Sequence, residues 1–197
     1  LGALFALIAV APVLLDWSTA AVGAACSEAP ASLWRLLAHQ GGASDVGFPA
    51  AAIDVDPASP LMTLLFVALT PILGNAFSAW NALVVMGFFA LSLGSIGLAK
   101  RLAPDGHILA HLTFMFAVVG SASWTPLIRQ TGIDFLPMML VPAVLALVHA
   151  WLEPKCHPGV GACALVLFAC ACLGHWMSSL FVLVMTIPMA MVMTRHW

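Results

Sequence analysis

Residues 76–101 read AFSAWNALVVMGFFALSLGSIGLAKR: twenty-four residues without a charge, closed by two basic side chains. A helix needs about 17–25 such residues to cross a hydrocarbon core, and Lys100 and Arg101 mark where this one would meet water. The rest of the chain repeats the pattern. Further apolar runs fall at 1–15, 61–73, 106–122, 133–152, 159–174 and 177–194. Hydrophobic residues make up 63% of the 197 and charged residues 7%, with a mean hydropathy of +1.09. A soluble domain carries roughly 25% charge, so this chain lacks the polar side chains to cover a water-facing surface, and its apolar excess must face lipid. The expected fold is therefore all-α: one polytopic transmembrane domain over residues 1–197, of about six spanning helices.

The run 61–73 differs from the others. Thirteen residues bounded by Pro60 and Gly74, with Pro71 inside, are too few to cross and predict a re-entrant or interfacial helix. The long polar stretch is 16–59, holding Asp16, Glu28, Asp45, Asp54 and Asp56. Within it, Leu33, Trp34, Leu36 and Leu37 share a helical repeat, which predicts a helix along the membrane surface. Trp17, Trp80, Trp124, Trp151, Trp176 and Trp197 sit at or near run ends, as in an interfacial aromatic belt. Leu1 already lies in an apolar run, and Leu1–Leu15 reads as the visible end of a first transmembrane helix; both chain ends read as cuts in a longer protein.

With 61–73 not crossing and the N-terminus inside, Lys100, Arg101, Lys155 and Arg195 are cytoplasmic, in keeping with the positive-inside trend. Arg35, Arg129 and the acids of loop 16–59 are then external. Counting charges alone slightly favours the opposite model, in which 61–73 crosses; its shortness decides for the first. No basic patch of the kind nucleic acid requires is present. Five cysteines give no disulfide or zinc spacing, and Cys163, Cys170 and Cys172 read as small buried hydrophobes. Gly94 and Gly97, with Ala90, suit close helix packing. A transporter is disfavoured, since no charge falls in mid-helix and no inverted repeat is visible.

From Trp34 onward several stretches carry a resemblance. They are Ser32-Leu33-Trp34-Arg35-Leu36-Leu37-Ala38-His39, Phe48-Pro49 through Ile53-Asp54-Val55, and Pro57-Ala58-Ser59-Pro60-Leu61. Thr70-Pro71-Ile72-Leu73-Gly74, Ala79-Trp80-Asn81-Ala82-Leu83 and Leu98-Ala99-Lys100-Arg101-Leu102 follow. In these the chain resembles bacterial polyprenyl-phosphate-sugar-dependent membrane glycosyltransferases of the GT-C class and their uncharacterised relatives. Those proteins run from a first helix through a long external loop to a proline-led helix ending in glycine, then a helix ending in two basic residues. The resemblance implies a multi-pass protein of the bacterial inner membrane, with membrane lipid and a polyprenyl-phosphate sugar donor as partners. Where the family carries a pair of acids soon after the first helix, this chain has Asp16 and Glu28, twelve positions apart.

Such transfer needs a carboxylate to take the acceptor's proton and a cation to hold the phosphate leaving group. Asp16, between Leu15 and Trp17, and Glu28, six residues before Trp34, are candidate bases. The plainer readings are a solvated helix-end acid for Asp16 and, for Glu28, an acid favoured by a helix dipole. Asp134, one residue into an apolar run, is a third catalytic candidate, with the same dipole alternative. Arg129 suits bidentate phosphate contact, or pairing with Asp134 or lipid headgroups. His175 and Trp34 complete the candidate substrate-binding set, though His175 also fits an interfacial turn. Asp54 and Asp56 form an Asp-x-Asp pattern able to help hold a divalent ion, or a solvated loop. His107, His111 and His149 are expected near cytoplasmic helix ends, outside any site. The rival to catalysis is an accessory subunit binding other protein subunits of a membrane complex through its apolar faces.

The preferred orientation has a direct check. In intact cells treated with an impermeant thiol reagent, Cys26 is expected to react and Cys156 to stay protected.

Overall fold

The computed structural model describes residues 2–21, 33, 37, 59–121, 132–153, 157–174 and 176–194. Among these the chain is helical, without a strand. In order come α1 (Gly2–Val10) with a 3-10 turn at Ala11–Val13, α2 (Pro60–Leu73), α3 (Ala76–Leu102) and α4 (Ile108–Val119). A 3-10 segment (Gly132–Leu140) then leads into α5 (Val141–Trp151), followed by α6 (Pro158–Gly174) and α7 (Trp176–Thr194).

The helix ends follow local chemistry. Ser59 accepts a hydrogen bond from the Met62 amide at the start of α2 and Pro60 occupies its first turn, where a missing N–H costs nothing. Gly74 closes α2 at φ 81°, in the left-handed region that glycine enters without penalty. Asn75 Oδ1 then accepts from the Ser78 amide at 2.8 Å to open α3. With 14 residues, α2 is about 21 Å long, short of a roughly 30 Å hydrocarbon core. The 27 residues of α3 cover about 40 Å, and α3 is long and apolar enough to cross a membrane.

The apolar run 133–152 is not one α-helix. Pro137 lies inside the 3-10 segment and Pro142 in the first turn of α5. Each removes a backbone donor, and the residue before a proline is disfavoured in α conformation. The chain therefore takes the tighter helix first and the α form after it.

α3 is the hub, packing against α1, α2, α4, the 3-10 segment and α5. Its glycines set how closely. A Cβ built on Gly94 would lie 2.6 Å from the Ala143 backbone nitrogen and 2.9 Å from its Cβ, so α3 and α5 meet nearly backbone to backbone. A Cβ on Gly87 would meet Leu136 and Met139 at 2.8 Å, and one on Gly97 would meet Ala146 at 3.7 Å. Numbering rises together along both partners, so the 3-10 segment and α5 run parallel to α3. α4 returns the chain between them.

The core gathers around the first half of α3. Trp80, Val84, Phe88 and Leu91 are buried there with Val10, Met62, Phe66, Met115 and Met139. Trp80 is thus a core residue and not part of an interfacial belt, because the residues after α1, among them Trp17 and Ala20, fold over the start of α3 and cover this region. Leu33 and Leu37, both helical, pack half-buried against the same cluster. Cys163 faces outward while Cys170 and Cys172 are half-buried, since α6 is apolar all round. Large apolar side chains also stand open on the outer faces: Leu7 and Ile8 on α1, Leu64 and Ile72 on α2, Leu93 on α3, Leu165 and Val166 on α6, and Val184 and Ile187 on α7.

Replacing Gly94 by Ala forces a methyl into the Ala143 backbone and is expected to destabilise the fold by about 1–3 kcal/mol. Gly97→Ala meets only ordinary contact and should be close to neutral. Thermal unfolding of the two variants side by side in detergent tells them apart.

Candidate functional site

Asp16 follows the 3-10 turn that ends α1. Its amide donates to Val13 O at 3.1 Å, and its own carbonyl accepts from the Thr19 and Ala20 amides at 2.9 and 2.8 Å and from Thr19 Oγ1 at 3.3 Å. The backbone here is one tight turn wound on the Asp16 carbonyl, with the Asp16 side chain exposed.

A buried polar residue of α3 holds that turn in place. Asn81 is fully buried, and its Nδ2 donates to Trp17 O at 3.1 Å and to Ala20 O at 2.8 Å. An amide left unsatisfied in an apolar core costs about 1–3 kcal/mol, so Asn81 fixes where the turn sits. Asp16 is therefore an exposed carboxylate on a backbone clamped to the N-terminal end of the longest helix.

The parallel register brings the backbone of Asp134 toward the same end. Asp134 lies in the 3-10 segment two residues before Leu136, and Leu136 sits opposite Gly87. The side chain of Asp134, and all of Glu28, Trp34, Arg129 and His175, lie outside the described residues, as do Asp45, Asp54 and Asp56.

The opposite end carries a second polar group. Arg101 Nη1 donates to Glu153 Oε1 at 2.8 Å, both side chains being about half exposed, and His149 Nδ1 stands 3.7 Å from the same oxygen. That His149 nitrogen is buried and lacks a hydrogen-bond partner among the described residues. Gly97, Lys100, Arg101, Pro104, His149 and Glu153 line an open groove of about 490 Å³ between α3 and α5. Nearby, buried His111 donates from Nε2 to the Ala103 carbonyl at 2.8 Å, and His107 Nδ1 accepts from the Leu109 amide at the start of α4. His107 and His111 thus serve the α3–α4 connection, whereas His149 lines a groove that sequence reasoning did not anticipate. The basic ending of α3 was the legible half of it. The partners on α5, some fifty positions later, carried no local signal.

Asn81 and Arg101 are twenty residues apart on one helix, or about 30 Å along its axis. The clamped turn and the charged groove are thus separated by about the thickness of a hydrocarbon core.

No family model matches the chain, and neither a curated protein nor a solved structure matches it.

Substituting Asn81 by Ala strips the Trp17 and Ala20 carbonyls of their side-chain donor and is expected to lower stability by about 1–3 kcal/mol. Asn81→Asp, which turns a carboxylate toward those two carbonyl oxygens, should lower it further. Detergent-solubilised unfolding curves give the ranking.

Proposed function

We propose that the chain is a multi-pass integral membrane protein of the bacterial inner membrane and that its Asp16 end transfers a sugar from a polyprenyl-phosphate donor. The observation that carries the first part is the spacing of two polar zones, about 30 Å apart, on a bundle whose outer faces are apolar. α1, α3, α4, the 3-10 segment with α5, α6 and α7 are the six crossings. α4, though only 12 residues long, returns the chain between two elements that run parallel, whereas α2 enters without crossing because the end of α1 and the start of α3 meet at Asn81. Leu64, Leu93, Leu165 and Ile187, exposed on four different helices, face the acyl chains, and a chain with so many open apolar side chains suits lipid better than water.

The second part rests on the clamped turn and on the family resemblance. A donor of this kind holds its phosphate at headgroup depth, the level at which a carboxylate just past a first helix lies. The acceptor hydroxyl oxygen attacks the anomeric carbon, and its proton passes to the Asp16 carboxylate, a role worth typically 10²–10⁴-fold in rate. The bond from that carbon to the phosphate oxygen breaks, and the lipid phosphate departs with the electron pair. A base serves best when its position is restricted, and the bonds around the Asp16 carbonyl and from Asn81 fix the backbone that carries it. Glu28 and Asp134 are the alternative bases, with Arg129, His175 and Trp34 as companions that hold phosphate and sugar.

Transfer from a labelled polyprenyl-phosphate sugar, assayed in membranes expressing the full chain, checks the reading. Asp16→Asn should reduce transfer about 10²-fold or more, with Glu28→Gln and Asp134→Asn assayed alongside. Full activity in all three variants removes the mechanism and leaves the accessory-subunit reading in its place.

A further inference from the structure

We infer that the groove between the C-terminal ends of α3 and α5 binds the phosphate headgroup of an anionic phospholipid. The inference rests on the membrane reading above and concerns the opposite end from Asp16.

The groove is unevenly charged. Lys100 and Arg101 face a single carboxylate, Glu153, and among the described residues Lys100 has no hydrogen-bond or ion-pair partner. Glu153 engages Arg101 through Nη1, and a guanidinium carries five N–H donors in a planar fork, so donors remain for a second acceptor. His149 stands behind this pair, its buried Nδ1 3.7 Å from Glu153 Oε1 and without a hydrogen-bond partner among the described residues. One phosphodiester anion balances the remaining charge and offers two unesterified oxygens to Lys100 and Arg101, both exposed on the groove. Part of the effect of Lys100 and Arg101 goes to the carbonyl end of α3, and a purely structural role would end there. The open volume of about 490 Å³ beside them is what such a role does not require.

Depth and surroundings select a lipid over a soluble phosphate ester. The groove lies about 30 Å along α3 from the Asn81 clamp, so in a bilayer it falls at the second headgroup layer. Leu93, largely exposed, stands on the same face of α3 as Gly97 and Lys100, one and two turns before the groove, and gives an acyl chain an apolar contact. Basic pockets between transmembrane helices on the cytoplasmic side suit anionic headgroups, at about 1 kcal/mol per basic residue.

The test uses the purified full chain in detergent, with thermal unfolding as the readout. Added dioleoylphosphatidylglycerol is expected to raise the Tm in a saturable way, and dioleoylphosphatidylcholine is not. Lys100→Gln, which removes no hydrogen bond or ion pair among the described residues, should change the lipid-free Tm only by the small loss of a helix-end charge while weakening the phosphatidylglycerol response about fivefold, and Lys100→Arg should restore both. Equal responses to both lipids, or an unchanged response in Lys100→Gln, overturn the inference. So does equal protection by glycerol phosphate, which would assign the groove to a soluble ligand. Carbonate extraction of the expressing membranes separates the two readings. Resistance to extraction without a phosphatidylglycerol effect removes the groove alone, whereas release of the chain removes the membrane reading beneath it.

Discussion

The near-contact of the Gly94 and Ala143 backbones fixes the register between α3 and the 3-10 segment with α5, and that register decides which polar groups share an end. Shifting α5 by one turn would carry His149 and Glu153 about 5.4 Å from Arg101 and open the 2.8 Å ion pair. It would also move Leu136 and Met139 off Gly87. Small side chains at the crossing allow one close fit, whereas large ones would permit several loose ones.

Four buried polar side chains of α3 and α4 follow a common rule, whereas His149 Nδ1 on α5 and Thr186 Oγ1 on α7 have no hydrogen-bond partner among the described residues. Asn81 donates to two carbonyls beyond α1, Ser92 Oγ to Phe88 O, Ser95 Oγ to Leu91 O, and His111 to Ala103 O. Each finds a backbone acceptor. In surroundings poor in water this is the economical arrangement, since an unsatisfied group costs several kcal/mol in hydrocarbon. The two serines bond within their own helix and connect nothing. Asn81 and His111 tie separate segments, at the start and just past the end of α3.

Much of the architecture was legible because it is written locally. The helices fall close to the apolar runs, Pro60 and Gly74 bound α2 as their chemistry demands, and Gly94 proved to be a packing glycine. What escaped was set by contacts distant in sequence. Nothing near Trp80 says that residues 17–20 will cover it, and nothing near Asn81 says that its partners lie some sixty positions earlier. The division of 133–152 was present in Pro137 and Pro142, but a hydropathy profile does not separate a 3-10 turn from an α turn. For the candidate site, the run ends pointed to Asp16 as a residue at the edge of the apolar layer. Its fixed backbone emerges only once the chain is folded.

The 3-10 segment changes the reach of the chain. Nine residues at about 2.0 Å each cover roughly 18 Å, where an α-helix would cover about 13.5 Å. Adding the eleven residues of α5 brings the pair to about 34 Å. Two prolines therefore let twenty residues outreach an α-helix of equal length by about three residues. The narrower coil also has a slimmer cross-section, which lets Leu136 and Met139 settle over Gly87 where a wider helix would stand off.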